Sequence, residues 1–234
     1  IVVPSSPGGG TDILARQIAT KLTERWGQSV IVDNRPGAGQ MIGLELVAKS
    51  PADGYVLAVA ATPLAVNSAL YKKVPYDPVR DFAPVTQVAA MPNILVAHPT
   101  LPARTIRQML ALAKARPGEL TYSSSGVGTG PHIATEMMLS VARVRATHIP
   151  YKGSGPALTD LVGGRVQYFL SGPALSMGYI KGGKLKPIAI TGDARFAALP
   201  QVPTFREAGL PEFNVTSSVG LLAPAGTPRA IQDK

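Results

Sequence analysis

The order of apolar runs, glycine-rich turns and helical periods along this chain predicts an α/β fold. Ile1-Val2-Val3 runs into Pro4-Ser5-Ser6-Pro7-Gly8-Gly9-Gly10-Thr11-Asp12 and then into an amphipathic period. Leu120-Thr121-Tyr122-Ser123-Ser124-Ser125-Gly126-Val127-Gly128-Thr129-Gly130-Pro131-His132 repeats that order of strand, small-residue turn and helix start. Strands alternate with helical patterns through the rest of the chain, which implies mostly parallel sheets with ligands at the carboxyl ends of strands, where both loops fall.

Strands are expected near 1–3, 30–32, 55–60, 94–97, 120–123, 147–150, 166–170, 187–191 and 219–223, from short β-branched or apolar runs bounded by turn residues. Helices are expected near 12–26, 40–49, 104–115, 132–142, 155–163 and 174–182. The first shows the clearest period, with Ile13, Leu14, Ile18, Leu22 and Trp26 on one face. Pro131 suits the first turn of the fourth. Between Pro92 and Pro102 a strand is bracketed by prolines, which suits a crossover between two lobes, and 213–219 suits the return. Thr227 and Pro228 read as the cap and first position of a last helix that stops short, and the abrupt start in a strand without an initiator Met leads us to expect that a leader or a few residues precede Ile1.

The chemistry of the two loops is that of anion binding. Consecutive glycines let the backbone approach a ligand without interference from a Cβ, and the first helical N–H groups have no intrahelical partners, so they can donate to a carboxylate or phosphate. One such loop in each half of the chain suggests a cleft with two walls.

Composition narrows the function classes. Of the 234 residues 45% are hydrophobic, enough for one large or two small cores, and no apolar run reaches the roughly 18 residues of a membrane span. The absence of cysteine removes disulfides, thiolate metal sites and Cys nucleophiles and leaves the compartment open. A net charge of +9 raises nucleic acid as a partner, but Lys and Arg are scattered singly and aromatic residues are too few for base stacking. We therefore expect no nucleic-acid partner and read the charge as a field that draws in small anions.

Catalytic and metal motifs are not found. There is no His-Glu-x-x-His, Gly-x-Ser-x-Gly, Ser-x-x-Lys or Gly-x-Gly-x-x-Gly. Gly178 to Lys184 has Walker-type glycine spacing, but Leu185 replaces the metal-binding hydroxyl and a helix precedes it, so it reads as a helix end and turn. His98, His132 and His148 lack ligand spacing, and no metal is expected. His132, in a first helical turn, either faces a ligand or braces the loop. Asp12 is a general base, a partner for a ligand amine, or the acidic first-turn residue that a helix dipole favours. Thr62 and Asn67 either line the cleft or serve as turn and cap. Asp53-Gly54-Tyr55 and Asn34-Arg35-Pro36-Gly37-Ala38-Gly39 read as architectural turns.

In this order the motifs resemble those of one family, the extracytoplasmic solute receptors of tripartite tricarboxylate transporters, the Bug or TctC family. The resemblance rests on Pro7-Gly8-Gly9 through Asp12, on 34–39, 53–55, Asp81-Phe82, on 122–128 with His132, on Tyr151-Lys152-Gly153, on 199–204 with Glu207-Ala208-Gly209, and on 223–228. It implies a two-lobed periplasmic binding fold of the type II kind, with the ligand cleft between lobe 1 (1–97 plus 216–234) and lobe 2 (98–215). It also implies a monomer without cofactor that does no chemistry, closes on a small carboxylate and delivers it to membrane permease subunits. Such receptors are periplasmic and made with a signal peptide, and about two further C-terminal helices are expected beyond this sequence. Carried onto this chain, the ligand-binding positions are Ser6, Gly8, Gly9, Thr11, Asp12, Ala61, Thr62, Ser125, Gly126, Gly128, Thr129, His132 and Ser171. Departures bear on the ligand: Ser5-Ser6 replaces a common aromatic residue, Gln40 a closing glycine, Ser218 a common Trp, and Ser171-Gly172 bulkier or more polar residues. A dicarboxylate, an amino acid or an aromatic acid all remain possible. The alternatives are an enzyme of the same fold acting through Asp12 and His132, and a sensor that signals through a membrane kinase.

Overall fold

The computed structural model describes all residues, 1–234. In chain order the elements are β1 (Val2–Val3), α1 (Gly10–Trp26), β2 (Asp33–Asn34), α2 (Met41–Ala48), β3 (Ala58–Ala60), α3 (Thr62–Leu70), β4 (Phe82–Met91), β5 (Ile94–Ala97), α4 (Ile106–Ala115), β6 (Thr121–Ser124), α5 (Gly130–Ala142), β7 (Thr147–Pro150), α6 (Ser154–Val162), β8 (Tyr168–Ser171), α7 (Pro173–Lys181), β9 (Lys186–Ile190), β10 (Ser217–Pro224) and α8 (Arg229–Gln232). They form two compact units, 1–90 with 218–234 and 91–217.

The first unit carries a sheet of order β2-β1-β3-β10-β4. Side-chain alternation sends Val3 and Val59 to the face covered by α1, with Ala15, and Val2, Ala58 and Ala60 to the face covered by α2 and α3, with Leu44, Val47 and Leu64. Helices on both faces explain why strands this short are so completely apolar. The buried stripe of α1 is Asp12, Ala15 and Ala19, not the larger residues the period suggested, and Trp26 is 44% exposed. Alanine allows closer approach of a helix to a sheet.

The second unit repeats the plan with the order β7-β6-β8-β5-β9. One core joins Leu95, Tyr122, Tyr168 and Leu170 to Ile106 and Met109 of α4 and Met138 and Leu139 of α5. The other joins Ile94, Val96, Phe169 and Ile190 to Leu158 and Leu161 of α6.

Several expectations require correction. The sheets are mixed: β1 with β2 and β3, and β6 with β7 and β8, are parallel, but β10 runs antiparallel to β3, and β5 antiparallel to β8 and β9. Each reversed strand is the first that the chain lays down on entering its unit from the other, without the helical crossover that parallel neighbours need. Ile94–Ala97, read as the end of the first lobe, is an inner, fully buried strand of the second unit; the chain changes unit at 90–91 and 217–218. The strand near 30–32 is displaced, because Asp33 and Asn34 pair with Val2 and Val3 while Ile31 stands 73% exposed. β4 and α3 were not expected. The last helix starts at Arg229, and Thr227 spends its hydroxyl on the Pro224 carbonyl instead of capping it. Gly178–Lys184 is the end of α7 followed by a turn, as its sequence suggested.

Candidate functional site

In each unit the parallel strands end on the same sheet edge and feed helices there. In the first unit, β1 leads to α1 and β3 to α3; in the second, β6 leads to α5, β7 to α6 and β8 to α7. None of these five helices has a side-chain cap at its N-cap residue, which is Gly9, Ala61, Thr129, Gly153 or Gly172. Only α4 is capped, by Thr105 accepting from the Gln108 N–H while Gln108 accepts from the Arg104 N–H. These starts thus leave their first-turn amides without a side-chain acceptor, while α4 closes its own.

The first loop is held from beneath. Asp12, 2% exposed, accepts from the Gly8 N–H at 2.9 Å and Arg16 Nε at 3.0 Å through one oxygen, and from Asn34 Nδ2 at 3.0 Å through the other. Asn34 Nδ2 also reaches the Ser5 carbonyl at 3.0 Å, and the Ser5 and Thr11 hydroxyls bond at 2.9 Å. Burial alone would raise the Asp12 pKa, but the bonds from Arg16, Gly8 and Asn34 outweigh it and hold the carboxyl below its ordinary value. Asp12 is a charged brace with both oxygens engaged, which is unlike a general base. Gly8 has φ +79°, so a side chain there would be strained.

The second loop has its own braces. Ser124 Oγ accepts from the Gly126 N–H at 3.1 Å and lies 2.6 Å from His148 Nε2. The Thr129 hydroxyl donates to the Gly126 carbonyl at 2.7 Å, and the Gly128 N–H donates to His132 Nδ1 at 3.2 Å. Gly126 has φ +129°, and a Cβ there would lie 3.1 Å from the Tyr151 carbonyl oxygen. Behind the loop four rings stack in a row, Tyr168, Tyr122, His148 and His132, with centroids 5.6, 4.8 and 4.2 Å apart. The Tyr122 hydroxyl donates to Glu136 Oε1. Burial lowers the pKa of both histidines, that of His148 to about 4 with a smaller push from His132, while Glu136 acts the other way on His132.

The residues expected at the site therefore fall into two groups, one on each unit's loop edge. Ser6, Gly8, Gly9, Thr11 and Asp12 form the first loop, and Ala61 and Thr62 start the neighbouring α3. Ser125, Gly126, Gly128, Thr129 and His132 form the second, and Ser171 ends the neighbouring β8, fully buried with its hydroxyl on the Gly172 carbonyl. Asn67 is fully buried and ties α3 to the Gly39 carbonyl and Tyr76, an architectural role. A hollow of about 330 Å³ beside α1, lined by residues such as Thr20, Thr23 and Val30, shares only Arg16 with the braces of the first loop. Arg16, Asn34, Ser124 and His148 were missed as loop supports. Asn34 lay within a motif already noted; nothing in the sequence announced that His148 stacks on His132.

Residues 14–234 match the model of the tripartite tricarboxylate transporter family receptor, TctC. Three solved structures are similar over 99% of this chain. That of R. palustris Rpa4515 with adipate is 39% identical, with a TM-score of 0.96 over 78% of its chain. MatC from Rhodopseudomonas palustris with bound malate is 33% identical, with a TM-score of 0.94 over 79% of its chain. The periplasmic binding protein BugD is 32% identical, with a TM-score of 0.94 over 78% of its chain.

Proposed function

Because the chain belongs to the tripartite tricarboxylate transporter receptor family, TctC, we propose that it captures a small carboxylate in the periplasm and delivers it to the membrane permease of such a transporter. The family is one of periplasmic solute-binding receptors, not of enzymes, and the two-unit α/β fold is theirs. The enzyme alternative falls on that ground, and Asp12 agrees with it, its carboxylate being wholly engaged in loop support.

The observation that carries the ligand class is the pattern of capping. The five helices that start at the carboxyl ends of parallel strands all lack a side-chain cap, as do α2 and the short α8, and only α4 is capped. Backbone amides aimed outward at a helix start bind a carboxylate without burying an arginine against it, which avoids a large desolvation cost. The bound adipate and malate of two relatives support a dicarboxylate in particular. In this reading the two units act as the two lobes. Ser6, Gly9, Thr11, Ala61 and Thr62 serve the ligand from one and Ser125 and Thr129 from the other, while Gly8, Gly126 and Gly128, whose N–H groups are bonded within the loops, and the fully buried Ser171 hold the loops in shape. Asp12 and His132 serve by shaping the loops.

A thermal-shift screen tests this, with adipate, malate, other di- and tricarboxylates, amino acids and aromatic acids as probes. Ligand at about 100 times its dissociation constant adds about 2.7 kcal/mol, a shift easily seen. A selective rise with a dicarboxylate, recovered chemically unchanged, is the expected result. No rise with any acid overturns the proposal.

A further inference from the structure

The histidine pair behind the second loop has a feature that loop support alone does not require. His132 Nδ1 is the acceptor for the Gly128 N–H at 3.2 Å, which fixes the ring as the neutral tautomer with its proton on Nε2. The His148 ring lies flat against it, centroids 4.2 Å apart and planes 28° from parallel. His148 in turn touches Ser124, whose hydroxyl takes the Gly126 N–H. The two glycine amides that shape the loop are thus held by one imidazole directly and by the other through a serine. The titratable groups that face the pair are Tyr122 of β6, Tyr168 of β8 and Glu136 of α5. Tyr122 donates to one oxygen of Glu136, whose charge opposes the effect of burial on His132 without overcoming it.

We propose that His132, backed by the stacked ring of His148, is a positioning residue that holds the second loop in its binding shape only while it is neutral, so that protonation of His132 releases the loop and weakens binding of the acid. A proton on Nδ1 removes the acceptor for the Gly128 N–H, and a charged ring stacked on a second imidazole opposes protonation of that one. The sign follows from linkage. Burial lowers both pKa values in the braced state. Affinity is therefore full above the ordinary imidazole pKa and is lost as the pH falls from there towards the braced-state value. The effect on the loop stands on its own; the effect on the acid rests on the receptor reading above.

The test has two arms. Ligand-free protein labelled with ¹⁵N is titrated from about pH 7.5 to about pH 4.5, and the Gly126 and Gly128 amides are followed by NMR beside the histidine ring signals. The Gly128 amide is expected to move with the His132 titration; an amide indifferent to it overturns the proposal. The dissociation constant for adipate, and for malate, is then compared at both ends of the range in the native protein and in His132→Asn, whose amide oxygen can stand in for Nδ1 but does not titrate. Loss of affinity on acidification is expected to be about tenfold greater in the native protein than in the variant, an ordinary size for the coupling of two linked binding events. The variant also removes any titration of the acid itself from the comparison. Affinity that instead tightens with acid in the native protein alone would mean that a charged His132 holds the anion, and contradicts the proposal. If neither acid binds at any pH the receptor reading is at fault, and the Gly128 titration still decides the brace.

Discussion

Asp12 shows how a residue type can be legible and its role not. An acidic residue in a first helical turn beside three glycines was readable from the sequence, and so were the first-turn amides that follow. What the sequence could not say was that Asn34, twenty-two positions away, would close on the same carboxylate. Three donors converge there on a side chain only 2% exposed, so Asp12→Ala leaves the Asn34 amide and the Gly8 N–H without their acceptor. Such a loss is expected to cost about 1–3 kcal/mol, measured by urea unfolding, and to weaken acid binding through the loop. A change below about 0.5 kcal/mol, the size of an ordinary surface substitution, would show that the network is not a brace. His132 was similarly left between facing a ligand and bracing the loop. The bond from the Gly128 N–H favours bracing, and the partner that makes the arrangement distinctive, His148, is sixteen residues away on β7.

At the scale of elements, the strands and helices that were readable are those with a strong local signal. β5, β7 and β9 fall within a residue of their expected positions, and all six expected helices begin within two residues of theirs. The two missed elements lack that signal. β4 carries Pro84 and Gln87 and lies at the edge of its sheet, where one face and one set of backbone groups need no partner, so it shows no clean alternation. α3 begins with Thr62-Pro63 and contains Asn67 and Ser68, residues that read as a turn; here Pro63 occupies the first turn and Asn67 is buried against Gly39 and Tyr76. The packing of α2 gives a sharper test of how the first loop is carried. A Cβ on Gly43 would lie 2.7 Å from Pro4 Cβ, 2.9 Å from Pro4 Cα and 3.0 Å from the Arg35 carbonyl, so the helix rests directly on the chain leading into the loop. Gly43→Ala is expected to destabilise by about 1–3 kcal/mol through overpacking, although alanine is the better helix former. Gly178→Ala in α7, where nothing lies within 4 Å, should instead gain about 0.5–1 kcal/mol. Equal effects of the two substitutions on the melting temperature would contradict the contact.

At the scale of the whole molecule, the two-part plan was visible in the repeated loops, but the point of passage was not. The prolines around Ile94–Ala97 suggested an extended connection, whereas the run itself is an inner strand with no exposed residue and the passage falls just before it. Four consecutive apolar residues are explained equally well by a linker passing through a core and by a strand within one, and only the pairing with β8 and β9 separates the two. What the fold then supplies is an uncapped, glycine-rich helix start in each unit, braced by side chains bonded to the loop itself. The central claim is that one acid engages both. The most direct measurement is a titration of ¹⁵N-labelled protein with the acid selected by the thermal screen, followed by the backbone amide shifts. The account predicts that the largest shifts fall together at 9–12 and at 125–129 and saturate with a single dissociation constant. Shifts confined to one of these segments, or to neither, would contradict it.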